Sequence, residues 1–237
     1  MQKKIAVLNF SGNVGKTNCA TSLLKPRMAD AQIFSVESLN VDASSEGLDV
    51  EKLKGKAYGA LSNQLLMLDS AIVDVGASNV EDFLKMMQQY DGSHEDFDYF
   101  LIPTVKEKKQ QQDTVNTIRA LSAIGVAKNK IRVVFNKVEL DDDVSVDFGA
   151  LFGLAELEKS FTLKKDAVIY RNDVYEQLKT IGKTLGDVSN DQNDYRQKLR
   201  EATSPDDKEF CVKMIGIKRL AVTATKNMDD VFKALFK

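Results

Sequence analysis

Phe10-Ser11-Gly12-Asn13-Val14-Gly15-Lys16-Thr17 lies between an apolar run and a helix-forming run. Glycines at 12 and 15 let a backbone bend tightly and turn successive N–H groups toward one anion. Lys16 supplies a point charge for terminal phosphates, and the Thr17 hydroxyl suits a magnesium ion. A helix starting near Lys16 adds its positive end. The strict pattern G-x-x-x-x-G-K-[ST] fails at its first position, Phe10. The strand–loop–helix context carries the assignment instead: a phosphate site with a divalent cation. A second group agrees with it. Ala71-Ile72-Val73-Asp74-Val75-Gly76 is an apolar strand ending in a carboxylate, an arrangement that holds a metal through water opposite such a loop. Alone, Asp74 reads equally well as a cap for the next turn; beside Thr17, the metal role is preferred.

The elements that must position these groups follow from apolar runs. Ile5–Phe10, Ala71–Val75, Tyr99–Ile102 and Ile131–Phe135 are near-continuous and read as strands buried on both faces, with Ile33–Val36 a weaker candidate. Helical stretches fall between and beyond them at Lys16–Leu24, Glu81–Gln89, Gln110–Ala123 and Val174–Thr184. Pro26 should end or bend the first near Lys25. Alternation of strand and helix predicts an α/β fold of three layers, a mostly parallel sheet with helices on both faces. With three prolines and no Gly/Ser-rich linker, residues 1–237 read as one domain. The polar stretch 186–207 reads as a helical surface insertion or a lid.

Composition excludes several classes. Lysine and arginine total 33 against 35 acidic residues, a net charge of −2, so no global basic field draws the chain to nucleic acid or anionic lipid. Direct DNA contact would need a local patch, for which Lys106, Lys108 and Lys109 are candidates beside the plainer reading of a solvated helix start. Cys19, Cys211 and His94 make neither a disulfide framework nor a metal cluster. Cys19 reads as a small core residue and His94 as a loop residue. The acidic run Glu139–Asp143 reads as a solvated loop rather than a metal site. The opening MQKKIAVLNF is too short an apolar run for a signal peptide, and no stretch reaches the ~18 apolar residues of a membrane span. A cytoplasmic location is expected.

These residues resemble the ParA/MinD superfamily of ATPases with a deviant phosphate loop, whose loop reads roughly K-G-G-x-G-K-[ST]-[ST]. The matching stretch is Ser11-Gly12-Asn13-Val14-Gly15-Lys16-Thr17-Asn18. Phe100-Leu101-Ile102-Pro103-Thr104 is similar to the superfamily's strand-to-proline turn, and Val133-Val134-Phe135-Asn136-Lys137 to its later strand. The opening Ala-Val-Leu-Asn-Phe-Ser-Gly-Asn-Val-Gly-Lys-Thr most resembles StbB-type plasmid stability proteins. The likeness is good over residues 1–140 and loose beyond. It implies ATP or ADP with Mg²⁺ held by the loop, with Thr17 and, through water, Asp74 on the metal. Asn18 would meet the α-phosphate and Asn136 the adenine edge; Asn136 also reads as a strand-end turn residue. Two departures stand out. The signature lysine that reaches a dimer partner's phosphates falls on Ser11, and the two switch aspartates fall on Glu37 and Leu39, with Asn40 or Asp42 as substitutes if the register slips. Lys16, Asp74 and Glu37 are then the catalytic candidates, and hydrolysis should be slow or dependent on a partner.

The function this resemblance implies is a nucleotide-dependent switch in plasmid segregation or conjugative transfer, with a homodimer and a plasmid-encoded DNA-binding protein as expected partners. A nucleotide-holding scaffold without turnover, and a dethiobiotin-synthetase-like enzyme, are the alternatives. In the C-terminal run Lys226–Lys237, Met228, Val231, Phe232, Leu235 and Phe236 share one helical face. That face is expected to pack on the sheet, the second reading being a membrane-binding helix like that of MinD-like proteins.

Overall fold

Six strands form one parallel sheet in the order β2-β3-β1-β4-β5-β6 in the computed structural model, which describes residues 1–36 and 50–237. They are β1 (Lys4–Val7), β2 (Gln32–Val36), β3 (Ala71–Val75), β4 (Tyr99–Thr104), β5 (Ile131–Val138) and β6 (Val168–Tyr170). Alternate residues face opposite sides: Ile5 and Val7 belong to one core, Ala6 and Leu8 to the other. Both faces of β1, β3, β4 and β5 are largely buried, as their near-continuous apolar runs require, whereas the edge strand β2 leaves Gln32, Ile33 and Ser35 exposed.

The first helix covers the expected Lys16–Leu24 but is not uniform. A single α-turn, Lys16–Asn18 (α1), continues as a π-helical stretch, Cys19–Leu24, and a 3-10 turn, Lys25–Arg27. Pro26 has no N–H to give to Ser22, and the Arg27 guanidinium takes that carbonyl at 3.0 Å and the Leu23 carbonyl at 2.9 Å. The helix therefore changes form at Lys25, where Pro26 was expected to end or bend it, and the chain tightens through the proline.

One side of the sheet carries α2 (Val50–Leu66), α3 (Val80–Gln89), α4 (Lys108–Ala123), α5 (Val144–Asp147) and α6 (Gly149–Glu158). The other carries the first helix, α7 (Val174–Ile181), α8 (Leu185–Ser189), α9 (Tyr195–Glu201) and the long α10 (Pro205–Phe236). This is the three-layer arrangement expected. Stretch 186–207 holds most of α8, all of α9 and the start of α10, and buries Val188 and Tyr195 in the second core. The acidic run is a loop: Asp142 pairs with Lys106 at 3.1 Å and Asp143 accepts the Ser145 N–H at 2.9 Å, so Lys106 is a paired surface group.

The C-terminal face is interior. Met228 and Val231 are fully buried, and Phe232 and Leu235 nearly so, in the core shared with Ile5, Val7 and Leu101. This corrects the membrane reading of 226–237, because the apolar face that would enter a bilayer is used by the sheet. No helix among the described residues is long and apolar enough to cross a membrane.

β4 also runs further than expected, through Pro103 to Thr104. Leu101 accepts the Leu8 N–H on its β1 side, and Pro103, two residues on, faces the same way. There the chain has already left β1 for the loop, so no ladder bond is lost to the missing N–H. Instead the Pro103 carbonyl accepts Asn9 Nδ2 at 2.9 Å.

Candidate functional site

The phosphate loop sits beyond the C-terminal end of β1, where strands β3 and β4 flank it and the sheet order departs on both sides from sequence order. Ligands of open α/β sheets bind at such a point. Asn13 and Gly15 both adopt left-handed backbone, with φ 61° and 92°, which curls the loop. The Asn9 side chain, fully buried, fixes its entry. Its Oδ1 accepts the Ser11 N–H at 2.8 Å, while Nδ2 donates to Pro103 O and to Thr114 Oγ1. Two further contacts come from α4: Phe10 N–H donates to Thr117 Oγ1 at 3.1 Å and Ser11 Oγ to Asp113 Oδ2 at 2.6 Å.

Lys16 is 9% exposed and lies under the loop, its ammonium donating to the carbonyls of Ser11 at 2.7 Å and Asn9 at 3.3 Å. Burial lowers its pKa, and the nearby Asp74 carboxylate opposes that shift. A buried cation whose hydrogen bonds go to carbonyl dipoles gains a further counter-charge when a phosphate enters. Thr17 Oγ1 donates to Asp74 Oδ2 at 2.7 Å, joining the first helix to the end of β3. A hydroxyl and a carboxylate, both hard oxygen donors, fit Mg²⁺, which takes few protein ligands and completes its shell with phosphate and water. Cys19, two residues further on, is fully buried, and burial pushes its thiol up to about 12.

The carboxamide of Asn136, the residue that the resemblance assigns to the adenine edge, makes two contacts within the protein, Nδ2 donating to Val14 O at 2.8 Å and Oδ1 accepting the Lys137 N–H at 2.9 Å. Asn136 is not a strand-end residue, because β5 continues past it with a bulge. Lys137, in left-handed backbone at φ 57°, donates from Nζ to Asn13 O at 2.9 Å. A cleft of about 980 Å³ opens from the loop, lined by Gly15–Asn18, Asn136, Lys137, Glu139, Arg171 and residues of α7.

The structure thus brings together Asn13, Val14, Gly15, Lys16, Thr17, Asn18, Asp74 and Asn136. Ser11 points its hydroxyl away from the loop's interior, to α4. Glu37, Leu39, Asn40 and Asp42 lie outside the described residues. Asn9, Asp113, Thr114, Thr117 and Lys137 had not been assigned to the site. The alternation of Asp113-Thr114 with Thr117 on one helical face is the signal that could have pointed to α4.

No family model and no curated protein sequence matches the chain. Solved structures do. MinD of Pyrococcus furiosus, a cell division ATPase, is 16% identical over 93% of this chain and 100% of its own, with a TM-score of 0.52. Apo McdA of Cyanothece is 15% identical over 93% and 99%, at 0.51, and MinD of Aquifex aeolicus 13% identical over 91% and 96%, at 0.50. The chain shares the fold of these MinD and McdA structures, a three-layer arrangement around a parallel sheet.

Proposed function

We propose that the chain binds an adenine nucleotide with Mg²⁺ at residues 10–18 and acts as a nucleotide-dependent switch. The observation that carries this reading is the convergence of Lys16, Thr17 and Asp74 beneath a left-handed loop, with the Thr17 hydroxyl 2.7 Å from Asp74. Lys16 would take the terminal phosphates, and the N–H groups of 13–17 the oxygens between them. Thr17, with Asp74 behind a water, would hold the metal, which when bound neutralises phosphate charge. The likeness of the opening residues to StbB-type proteins supports a role in plasmid segregation or transfer, with a second copy of the chain and a DNA-binding protein as partners.

Hydrolysis is slow in this account. Ser11 carries no charge, and its hydroxyl is already given to Asp113, so the loop offers no second cation at that position for charge developing on the leaving oxygen. Phosphate release at saturating ATP is expected below about 1 s⁻¹ for the isolated chain, and to vanish in Lys16→Ala. Faster turnover that Lys16→Ala abolishes would contradict the assignment of a slow switch.

A further inference from the structure

We propose that Asn136 and Lys137 form a latch that holds the phosphate loop in its anion-receiving shape and sets how slowly a bound nucleotide leaves; this rests on the nucleotide reading above. Two consecutive residues of β5 donate to two consecutive carbonyls of the loop, Asn136 Nδ2 to Val14 O at 2.8 Å and Lys137 Nζ to Asn13 O at 2.9 Å. In a planar trans peptide the carbonyl and the following N–H point in opposite directions. Drawing the Asn13 and Val14 carbonyls toward β5 therefore turns the N–H groups of Val14 and Gly15 to the other side of the loop. Successive N–H groups aimed one way are what an anion nest requires. Lys16 treats the carbonyls of Asn9 and Ser11 similarly, so cationic or amide donors hold four carbonyls around the loop.

The backbone bears a cost for this arrangement. Lys137 occupies left-handed backbone at φ 57° beside a register shift between Asn136 and Val138, a conformation disfavoured for any residue with a Cβ. Bulges re-aim side chains, and strain of this kind collects at ligand clamps. The seat is also tight. Asn136 is 4% exposed, and a Cβ on Gly15 would stand 2.1 Å from its Nδ2. Lys137 is exposed, and both residues line the cleft. A latch that must be broken before the loop relaxes slows release more than entry.

The test is stopped-flow displacement of a fluorescent ADP analogue, with Mg²⁺, from the wild type, Lys137→Gly and Lys137→Arg, alongside thermal unfolding of each without nucleotide. Glycine at 137 removes the cation and the left-handed strain together, so the two readouts separate. Release from Lys137→Gly is expected about tenfold faster, with an unfolding midpoint that holds or rises, while Lys137→Arg restores slow release. Wild-type release rates in Lys137→Gly overturn the latch, as does faster release that comes with a lowered midpoint. Failure of the wild type to bind the analogue removes the nucleotide reading and the latch together. Normal wild-type binding with an unchanged variant removes the latch alone.

Discussion

Gly15 and Gly12 occupy equivalent places in the loop's sequence and unequal ones in its structure. At Gly15 the backbone has φ 92°, and an added Cβ would stand 2.1 Å from Asn136 Nδ2 and 3.3 Å from its Cγ. At Gly12 an added Cβ meets nothing within 4 Å. Gly15→Ala must strain the backbone and displace the Asn136 carboxamide from Val14, a cost of about 1–3 kcal/mol for the strain alone. The expected outcome is a folded protein with a lower thermal midpoint and nucleotide affinity reduced at least about tenfold, whereas Gly12→Ala keeps the wild-type midpoint. Melting curves and a nucleotide titration on the two variants check this; equal midpoints would contradict it. The sequence could name both glycines, because tight loops need them. It could not rank them, because the group that makes Gly15 indispensable arrives from β5. The same limit applies to Ser11, whose departure from the family's lysine was legible while its partner Asp113 on α4 was not.

At the scale of elements, α10 shows what a local pattern leaves open. Residues 226–237 alone look like a short amphipathic helix, expected to pack on the sheet but with a bilayer as the second reading. The helix in fact begins at Pro205, with Ser204 Oγ accepting the Asp207 N–H, and runs 32 residues. Its buried stripe is Cys211, Met214, Ile217, Ala221, Ala224, Met228, Val231, Phe232 and Leu235, at steps of mostly three and four. The first part of that stripe was harder to read, because Cys211, Ala221 and Ala224 are small while Val212, Ile215, Leu220 and Val222 lie off the stripe, so the apolar period is blurred. The parallel strands were legible because burial on both faces leaves continuous apolar runs; β6, with three residues, is too short to give one. Met228 is fully buried, so Met228→Ala should destabilise the protein by about 2–5 kcal/mol through lost burial and a residual cavity. Denaturant unfolding measures this. A change under about 0.5 kcal/mol would mean that the helix end is not seated on the sheet.

For the whole molecule, the sheet order is what assembles the site. Setting β1 between β3 and β4, with β5 next, brings Thr17 to Asp74 and Val14 to Asn136 from distant parts of the chain. Alternating strands and helices predicted a parallel three-layer fold, and the loop's context predicted where a phosphate would sit. Neither could supply the strand order, and hence neither could show that Asn136 and Lys137 meet the loop's carbonyls. The central claim is that this assembled loop is a nucleotide site whose charge comes from Lys16. Calorimetric titration of ATP with Mg²⁺ into the wild type and Lys16→Ala tests it most directly. Saturable binding by the wild type is expected, with a loss of about 2–5 kcal/mol in the variant, the range for removing one partner of a buried charged pair. Equal affinity in the two proteins would contradict it.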